Sequence, residues 1–413
     1  MNKILLITVS YPYGSGEQFL RDELEFLSNN DAHVAIYPSS SKGHPREVPK
    51  NIEILQKPQI KRWFINLFGA PYSFFNYGKY YISDLKESIY KEKFNILRFS
   101  RFAYIVNYIL RSSIYIAWFD FFYKKDISQN TLIYTYWMNS ESYAVSILKR
   151  ANPHLKTVSR VHGGDLYKER NADFLPYRKQ IIDSLDKIFT ISNHGKEYLT
   201  KQYELKNQSK ITLSRLGVTK QERISVKETS SEVVIASCSS DDIVKRIPEI
   251  LSTLGYFSNK TKAKVIWLNI GIEKDIFFNK YGNILNLYPN LECLILGILP
   301  NNQIGEEYIK FKPSLFINLS SSEGVPVSIM EAFSFGIPVI ATDVGGTSEI
   351  VNNSVGSLVD ADVDYKKIKN EIERLIQSRE EYSLNAYNQW KDLCNSENNY
   401  NKHYNFLEKV IND

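Results

Sequence analysis

The run Ser320-Ser321-Ser322-Glu323-Gly324-Val325-Pro326-Val327-Ser328-Ile329-Met330-Glu331-Ala332 decides how the rest of the chain is read. It follows Ser314 to Leu319, an apolar stretch of strand length, and turns helical in period near Pro326, where a first helical turn tolerates proline. A strand, a polar turn and a helix start place unbonded peptide N–H groups where an anion, ideally a diphosphate, can meet them. Glu331 comes eight residues after Glu323, so about 12 Å along the helix axis. That is the span of a sugar nucleotide from hexose to ribose, and both carboxylates can accept hydrogen bonds from hydroxyls. A capped helix with one surface glutamate remains the plain reading of this run taken alone.

The chain continues Phe335-Gly336-Ile337-Pro338-Val339-Ile340-Ala341-Thr342-Asp343-Val344-Gly345-Gly346-Thr347-Ser348-Glu349-Ile350-Val351. A helix stops at glycine, a buried strand follows, and a Gly-Gly turn lets backbone approach a ligand without an intervening Cβ. Glu323 to Val351 resembles the E-x(7)-E region of the family 4 glycosyltransferases, with the E-G-x-P, E-A, G-x-P-V and G-G-x-x-E-I-V elements in order. The resemblance implies a GT-B fold: two Rossmann-like, doubly wound α/β domains facing across a cleft. It also implies a retaining, metal-independent transfer of a hexose-type sugar from a nucleotide diphosphate, UDP favoured over GDP, with no resident cofactor.

The same pattern continues elsewhere. Tyr11-Pro12-Tyr13-Gly14-Ser15-Gly16-Glu17-Gln18-Phe19 follows the first strand and resembles the family's glycine-rich loop, whose backbone at Gly16 would face the donor phosphates. A dinucleotide fingerprint needs a third glycine where Phe19 stands, which counts against a dehydrogenase. Arg160-Val161-His162-Gly163-Gly164-Asp165 closes another strand and resembles the segment that brings a histidine, here His162, to the transferred sugar. His33, His44, His154, His194 and His403 have no comparable context. Ser214-Arg215-Leu216-Gly217-Val218 resembles the hinge before the second domain.

After the strand Glu232 to Cys238 comes Ser239-Ser240-Asp241-Asp242-Ile243-Val244-Lys245-Arg246. The family holds the donor diphosphate here with an arginine and a lysine about five residues apart. Lys245 matches the lysine; the arginine's place falls near Ser240, and Arg246 is the alternative cation, about 100° away on a helix. The implied set is therefore catalytic Glu323, His162 and Lys245, with Gly16, Ser240, Lys245, Arg246, Gly324, Val325 and Glu331 holding the donor.

Bulk properties agree with two soluble domains: 413 residues, 43% hydrophobic and 23% charged. Strand candidates are Lys3 to Val9, His33 to Tyr37, Thr131 to Met138, Thr157 to His162 and Lys187 to Ser192, then Glu232 to Cys238, Lys264 to Gly271, Glu292 to Gly297, Ser314 to Leu319 and Ile337 to Thr342. Alternation with amphipathic runs indicates parallel sheets. Expected domains are 1–216 for the acceptor, 217–385 for the nucleotide sugar, and a helix at 386–413 returning to the first, with Leu216 to Ser230 as linker. Three scattered cysteines exclude a disulfide framework and a four-ligand metal site, and fit a reducing cytoplasm. Met1 to Ser10 reads as a strand rather than a leader. The nearest approach to a membrane span, Ala103 to Phe119, is broken by Arg111.

Residues 57–125 stand apart. They hold 12 basic and 4 acidic residues, +8 in a chain of +5, and 21 of the 55 aromatics. Pairs such as Trp63-Phe64, Phe74-Phe75, Tyr80-Tyr81 and Phe121-Phe122 lie beside Lys61, Arg62, Lys79, Lys124 and Lys125, and 96–118 has helical length. Core helices, nucleic-acid stacking (disfavoured) and docking on anionic lipid are the three readings. Lipid docking suits a lipid-linked or glycan acceptor and a cytoplasmic protein peripheral to the plasma membrane. Lys-, Asn-, Ile- and Tyr-rich usage points to an AT-rich bacterial genome and a surface-polysaccharide pathway. A non-catalytic partner subunit and a nucleotide-sugar epimerase are the alternatives.

Overall fold

The computed structural model describes residues 3–14, 16–30, 32–55, 59–91, 99–205, 208–224 and 231–413, without the side chains of 59–64, 90–91, 99–100 and 126. Ser15, Lys57 and 96–98 therefore lie outside the described residues, as do the side chains of Lys61, Arg62, Trp63 and Phe64. The chain divides into two compact units: Met1–Ser214 with Tyr400–Asp413, and Arg215–Asn399.

Unit 1 is built on a seven-stranded sheet of order β3-β2-β1-β4-β5-β6-β7, every pair parallel. Its strands are β1 Lys3–Thr8, β2 His33–Pro38, β3 Ile52–Ile54, β4 Thr131–Thr135, β5 Lys156–Val161, β6 Lys187–Thr190 and β7 Ile211–Leu213. Near-continuous apolar runs such as Ile4 to Ile7 are buried on both faces, as a helix-covered parallel sheet requires. Helix α1, Leu20–Asn29, follows β1 and buries Leu20, Leu24 and Leu27. The long helices α2, Gln59–Lys91, and α3, Phe99–Trp118, intervene between β3 and β4. They bring Tyr77, Tyr81, Tyr108, Tyr115 and Trp118 into the core.

Unit 2 has six parallel strands in the order β10-β9-β8-β11-β12-β13. These are β8 Glu232–Cys238, β9 Lys264–Ile270, β10 Leu291–Ile295, β11 Leu315–Asn318, β12 Val339–Thr342 and β13 Gly356–Val359. The expected doubly wound α/β architecture is thus present twice. Three short strands, β3, β7 and β13, add to those expected.

The boundaries differ from those expected. Leu216 to Ile224 is no linker: Ile224 is buried, its N–H donates to Phe335 O (2.9 Å), and Arg223 pairs with Glu380 (2.6 Å). The remainder of the expected linker, 225–230, lies outside the described residues. Val218 N–H donates to Cys394 O (2.8 Å) and Trp390 Nε1–H to Val218 O (3.1 Å), keeping 390–399 in unit 2. Gly217 is tied to this join, since a Cβ there would lie 2.5 Å from the Ser396 backbone. From Tyr400 on, the helix Ser396–Asn412 places Leu407, Val410 and Ile411 among Ile4, Leu6 and Val34 of unit 1.

Candidate functional site

In an open parallel sheet a ligand gathers outside the carboxyl ends of the strands where their order reverses. Unit 2 reverses between β8 and β11, and the loops after these strands carry Lys245 and Glu323. Lys245 closes a short 3-10 turn, Ile243–Lys245, capped by the Asp242 carboxylate, which accepts the Val244 N–H (3.2 Å). Its Nζ lies 2.6 Å from Glu323 Oε1. Asn318 Nδ2 reaches the same oxygen at 3.5 Å. Glu323 is buried, so the ammonium is both its counterion and its hydrogen-bond donor.

The surrounding loops are bolted together by backbone. Ser321 N–H donates to Val244 O (2.8 Å), joining the two switch-point loops, and Gly346 N–H donates to Gly324 O (2.8 Å), joining the Gly-Gly turn to Glu323-Gly324. Thr342 Oγ1 donates to Ser320 O (2.5 Å). Gly271, at φ +116, admits the loop after β8, because a Cβ there would lie 2.7 Å from Ser239 O.

The helix Val327–Ser334 starts after Pro326, which occupies the N-cap rather than the first turn. Intrahelical bonding begins with Ile329 N–H to Pro326 O (3.1 Å), leaving the Val327 and Ser328 amides at the helix mouth. The interval from Glu323 to Glu331 is therefore not a single helix. Glu323 to Pro326 is turn, and only Val327 to Glu331 rises helically, about 6 Å. Glu323 and Glu331 are thus joined by a short turn and the start of a helix rather than by eight helical residues, because Pro326 caps the helix instead of continuing one. Glu331 sits in the second helical turn, where its charge adds to burial in raising the Cys238 thiol at the end of β8. Val325 has a buried side chain and offers backbone only; Ser240 is exposed. Arg246 adopts φ +53 and turns elsewhere, to Glu249 (3.3 Å) and Ala361 O (2.6 Å). Lys245 and Arg246 thus serve different partners.

Unit 1 reverses between β1 and β4. Glu17, at φ +56, buries its carboxylate under the glycine-rich loop, accepting the N–H groups of Val9 (3.0 Å), Ser10 (2.7 Å) and Tyr11 (2.7 Å). It also accepts Trp137 Nε1–H (2.8 Å), tying the β1 loop to the β4 loop. Gly16 O accepts from Arg46 Nη2 (2.5 Å). The sequence reading passed over Glu17, though a lone carboxylate in a glycine-rich loop signals a backbone staple.

His162, after β5, is 4% exposed and stands among Phe19, Tyr136 and Trp137, with ring centroids 5.5, 4.9 and 4.5 Å away. Neither imidazole nitrogen has a hydrogen-bond partner among the described residues. Burial, helped by the Arg160 charge, pushes its pKa down to about 3, so the ring is neutral. The Asp165 carboxylate fixes the backbone here, accepting His162 N–H and Met138 N–H (both 2.6 Å). Below this layer Arg160 pairs with Glu23, Ser214 and Tyr134, and Ser214 Oγ is 2.9 Å from His403 Nδ1. A cavity of about 170 Å³ lies beside the same sheet edge, between Val9, Ser40, Arg111, Trp118, Asn139 and Glu141. Among the described residues no three His, Cys, Asp or Glu side chains converge as metal ligands.

Residues 220–391 match the family described as Glycosyl transferases group 1. A 57-residue stretch is 40% identical to TuaC of Bacillus subtilis (strain 168), by its name a teichuronic acid biosynthesis glycosyltransferase; it spans 14% of this chain and 14% of that relative. Sucrose-phosphate synthase from Thermosynechococcus elongatus superposes at TM-score 0.71 with 15% identity, over 99% of each chain. TarM superposes at 0.67 with 13% identity over 100% and 99%. The lipopolysaccharide outer core galactosyltransferase WaaB does so at 0.66 with 15% identity over 98% of each. The fold is GT-B.

Proposed function

We propose that this chain is a retaining, metal-independent glycosyltransferase that moves a hexose-type sugar from a nucleotide diphosphate, UDP favoured, to a glycan or lipid-linked acceptor of bacterial surface polysaccharide. The observation that carries the reading is the Lys245–Glu323 pair at the unit 2 switch point, inside the stretch that matches Glycosyl transferases group 1. The short match to TuaC supports the polysaccharide setting.

In this reading the anomeric carbon exchanges its bond to the diphosphate for one to an acceptor oxygen, and the acceptor's proton leaves with the diphosphate. Negative charge grows on the departing phosphate, and fixed donors aimed at it supply the largest stabilisation. Lys245 and the amides at the helix mouth near Val325 are those donors; Ser240 lines the approach. Glu323 then accepts sugar hydroxyls, and Glu331 accepts the ribose hydroxyls. The neutral ring of His162, at the unit 1 sheet edge, offers one N–H and one lone pair. Lys245 stands in for a metal ion as the phosphate's counter-charge. A lipid-linked acceptor puts the work at the cytoplasmic face of the plasma membrane.

Thermal-shift measurement against UDP-, GDP- and ADP-sugars tests the proposal. A bound donor at a hundred times its Kd stabilises by about 2.7 kcal/mol. A UDP-sugar raising Tm supports the reading, and a melting curve indifferent to every nucleotide sugar overturns it.

A further inference from the structure

Residues 57–125 separate in the structure into two populations. Tyr77, Tyr81, Tyr108, Tyr115 and Trp118 are core. A second set stands on the outer side of α2: Phe68, Phe75, Ile82 and Ile89 recur every seventh residue and are 45, 91, 46 and 39% exposed. Seven residues fall about 20° short of two helical turns, so the four share one stripe. Lys79 and Lys86, both exposed, follow Phe75 and Ile82 by four residues on the same side. Helix α3 carries its own exposed row, Phe102, Val106 and Leu110, with Arg111 beside it.

We propose that this side of α2 docks unit 1 reversibly onto an anionic lipid surface. The aromatic and aliphatic side chains enter the headgroup boundary, and Lys79 and Lys86 meet lipid phosphates. A second copy of the chain fits less well. A helical seam needs apolar residues three or four positions after each stripe residue. Those positions hold Pro71, the buried Gly78 and the core-packed Leu85, or Tyr72, Lys79 and Lys86. Pairing two such faces would oppose lysines. The charge also fits a lipid partner: the segment carries +8 in a chain of +5, and Lys79 and Lys86 stand beside the apolar stripe. Among the described residues no helix is long and apolar enough to cross a membrane, so the contact is one of docking rather than spanning.

The test is flotation of the full chain with phosphatidylcholine vesicles, with and without phosphatidylglycerol, at low and high salt. Binding should rise with phosphatidylglycerol and fall with salt. Phe75→Glu should weaken it about tenfold or more, by losing apolar insertion and adding repulsion. Lys79→Glu/Lys86→Glu should weaken it to a similar degree, about tenfold. The exposed unit 2 control Leu287→Glu should bind like the parent. All substituted side chains are exposed, so unchanged melting curves confirm that folding is intact. Equal binding to neutral vesicles, a Phe75→Glu variant that binds like the parent, or a dimer that Phe75→Glu dissolves would each overturn the proposal. The readout uses no sugar donor, so its failure leaves the transferase reading standing, and the converse holds too.

Discussion

Lys245 Nζ and Glu323 Oε1 lie 2.6 Å apart, although 78 residues separate them in sequence. Neighbouring strands β8 and β11 deliver them to one point, and the Ser321–Val244 bond fixes their loops. In the proposed role this ammonium meets a phosphate while staying paired. Lys245→Ala should lower turnover roughly 10²–10³-fold, the usual loss for one anion-stabilising donor. Initial-rate kinetics with a UDP-sugar measure it, and an unchanged kcat removes Lys245 from the chemistry.

Arg246 should matter little to transfer, because its guanidinium is committed to Glu249 and Ala361 O. Arg246→Ala should lower turnover less than about tenfold, on the scale of a single surface contact. Damage matching that of Lys245→Ala would make Arg246 the phosphate ligand.

The two glutamates should separate kinetically. Glu331→Ala should weaken UDP itself by about 1.5–3 kcal/mol, one charge-assisted hydrogen bond. Glu323→Ala should leave UDP affinity within a few-fold and slow transfer. Fluorescence-detected nucleotide competition reports the first; equal UDP affinity in Glu331→Ala and parent refutes the assignment.

His162 is held neutral, its pKa pushed down to about 3 by burial and then by Arg160. A lowered histidine pKa means the charged form appears only as pH falls toward that value. Between pH 5 and 8 the ring should not titrate, so any acid limb in the pH–rate profile should persist in His162→Gln, at lower kcat. A limb that vanishes in the variant would assign the titration to His162.

Stability should fall with acid through the Glu23–Arg160–His403 cluster. Burial raises the Glu23 carboxyl, but Arg160 and then His403 outweigh it and hold it down to about 2. The His403 pKa is lowered by burial and the Arg160 charge. A carboxyl held low contributes stability present above about pH 4.5 and lost as pH falls through its folded value. A histidine held low adds a loss below about pH 6.5. Glu23→Ala should cost about 3–5 kcal/mol, since it strands a buried guanidinium. Denaturant melts from pH 7 down to about 2 check both effects, and a flat profile contradicts them.

The sequence placed Lys245 and Glu323 correctly at strand ends because the signal is local: a strand, a polar turn, then a helix. It could not place the Glu23–Arg160–His403 cluster, whose members are 137 or more residues apart and share no motif. Glu17 hid inside a loop read for its glycines, though its carboxylate holds the loop's backbone. Proline at 326 fits a first helical turn by sequence, but it caps the helix, so the glutamates do not share one helix. In 57–125 the doubled aromatics looked alike. Only the helix phase separates Tyr81, in the core, from Phe75, in solvent.

Unit 2 should hold a nucleotide diphosphate over Lys245 and Glu323. Isothermal titration of UDP into the protein and into Lys245→Ala tests this directly. One saturable site per chain is expected, weakened at least about tenfold by the substitution, as for loss of one charge-assisted contact. No heat with UDP, GDP or ADP, or the same affinity in both proteins, would contradict it.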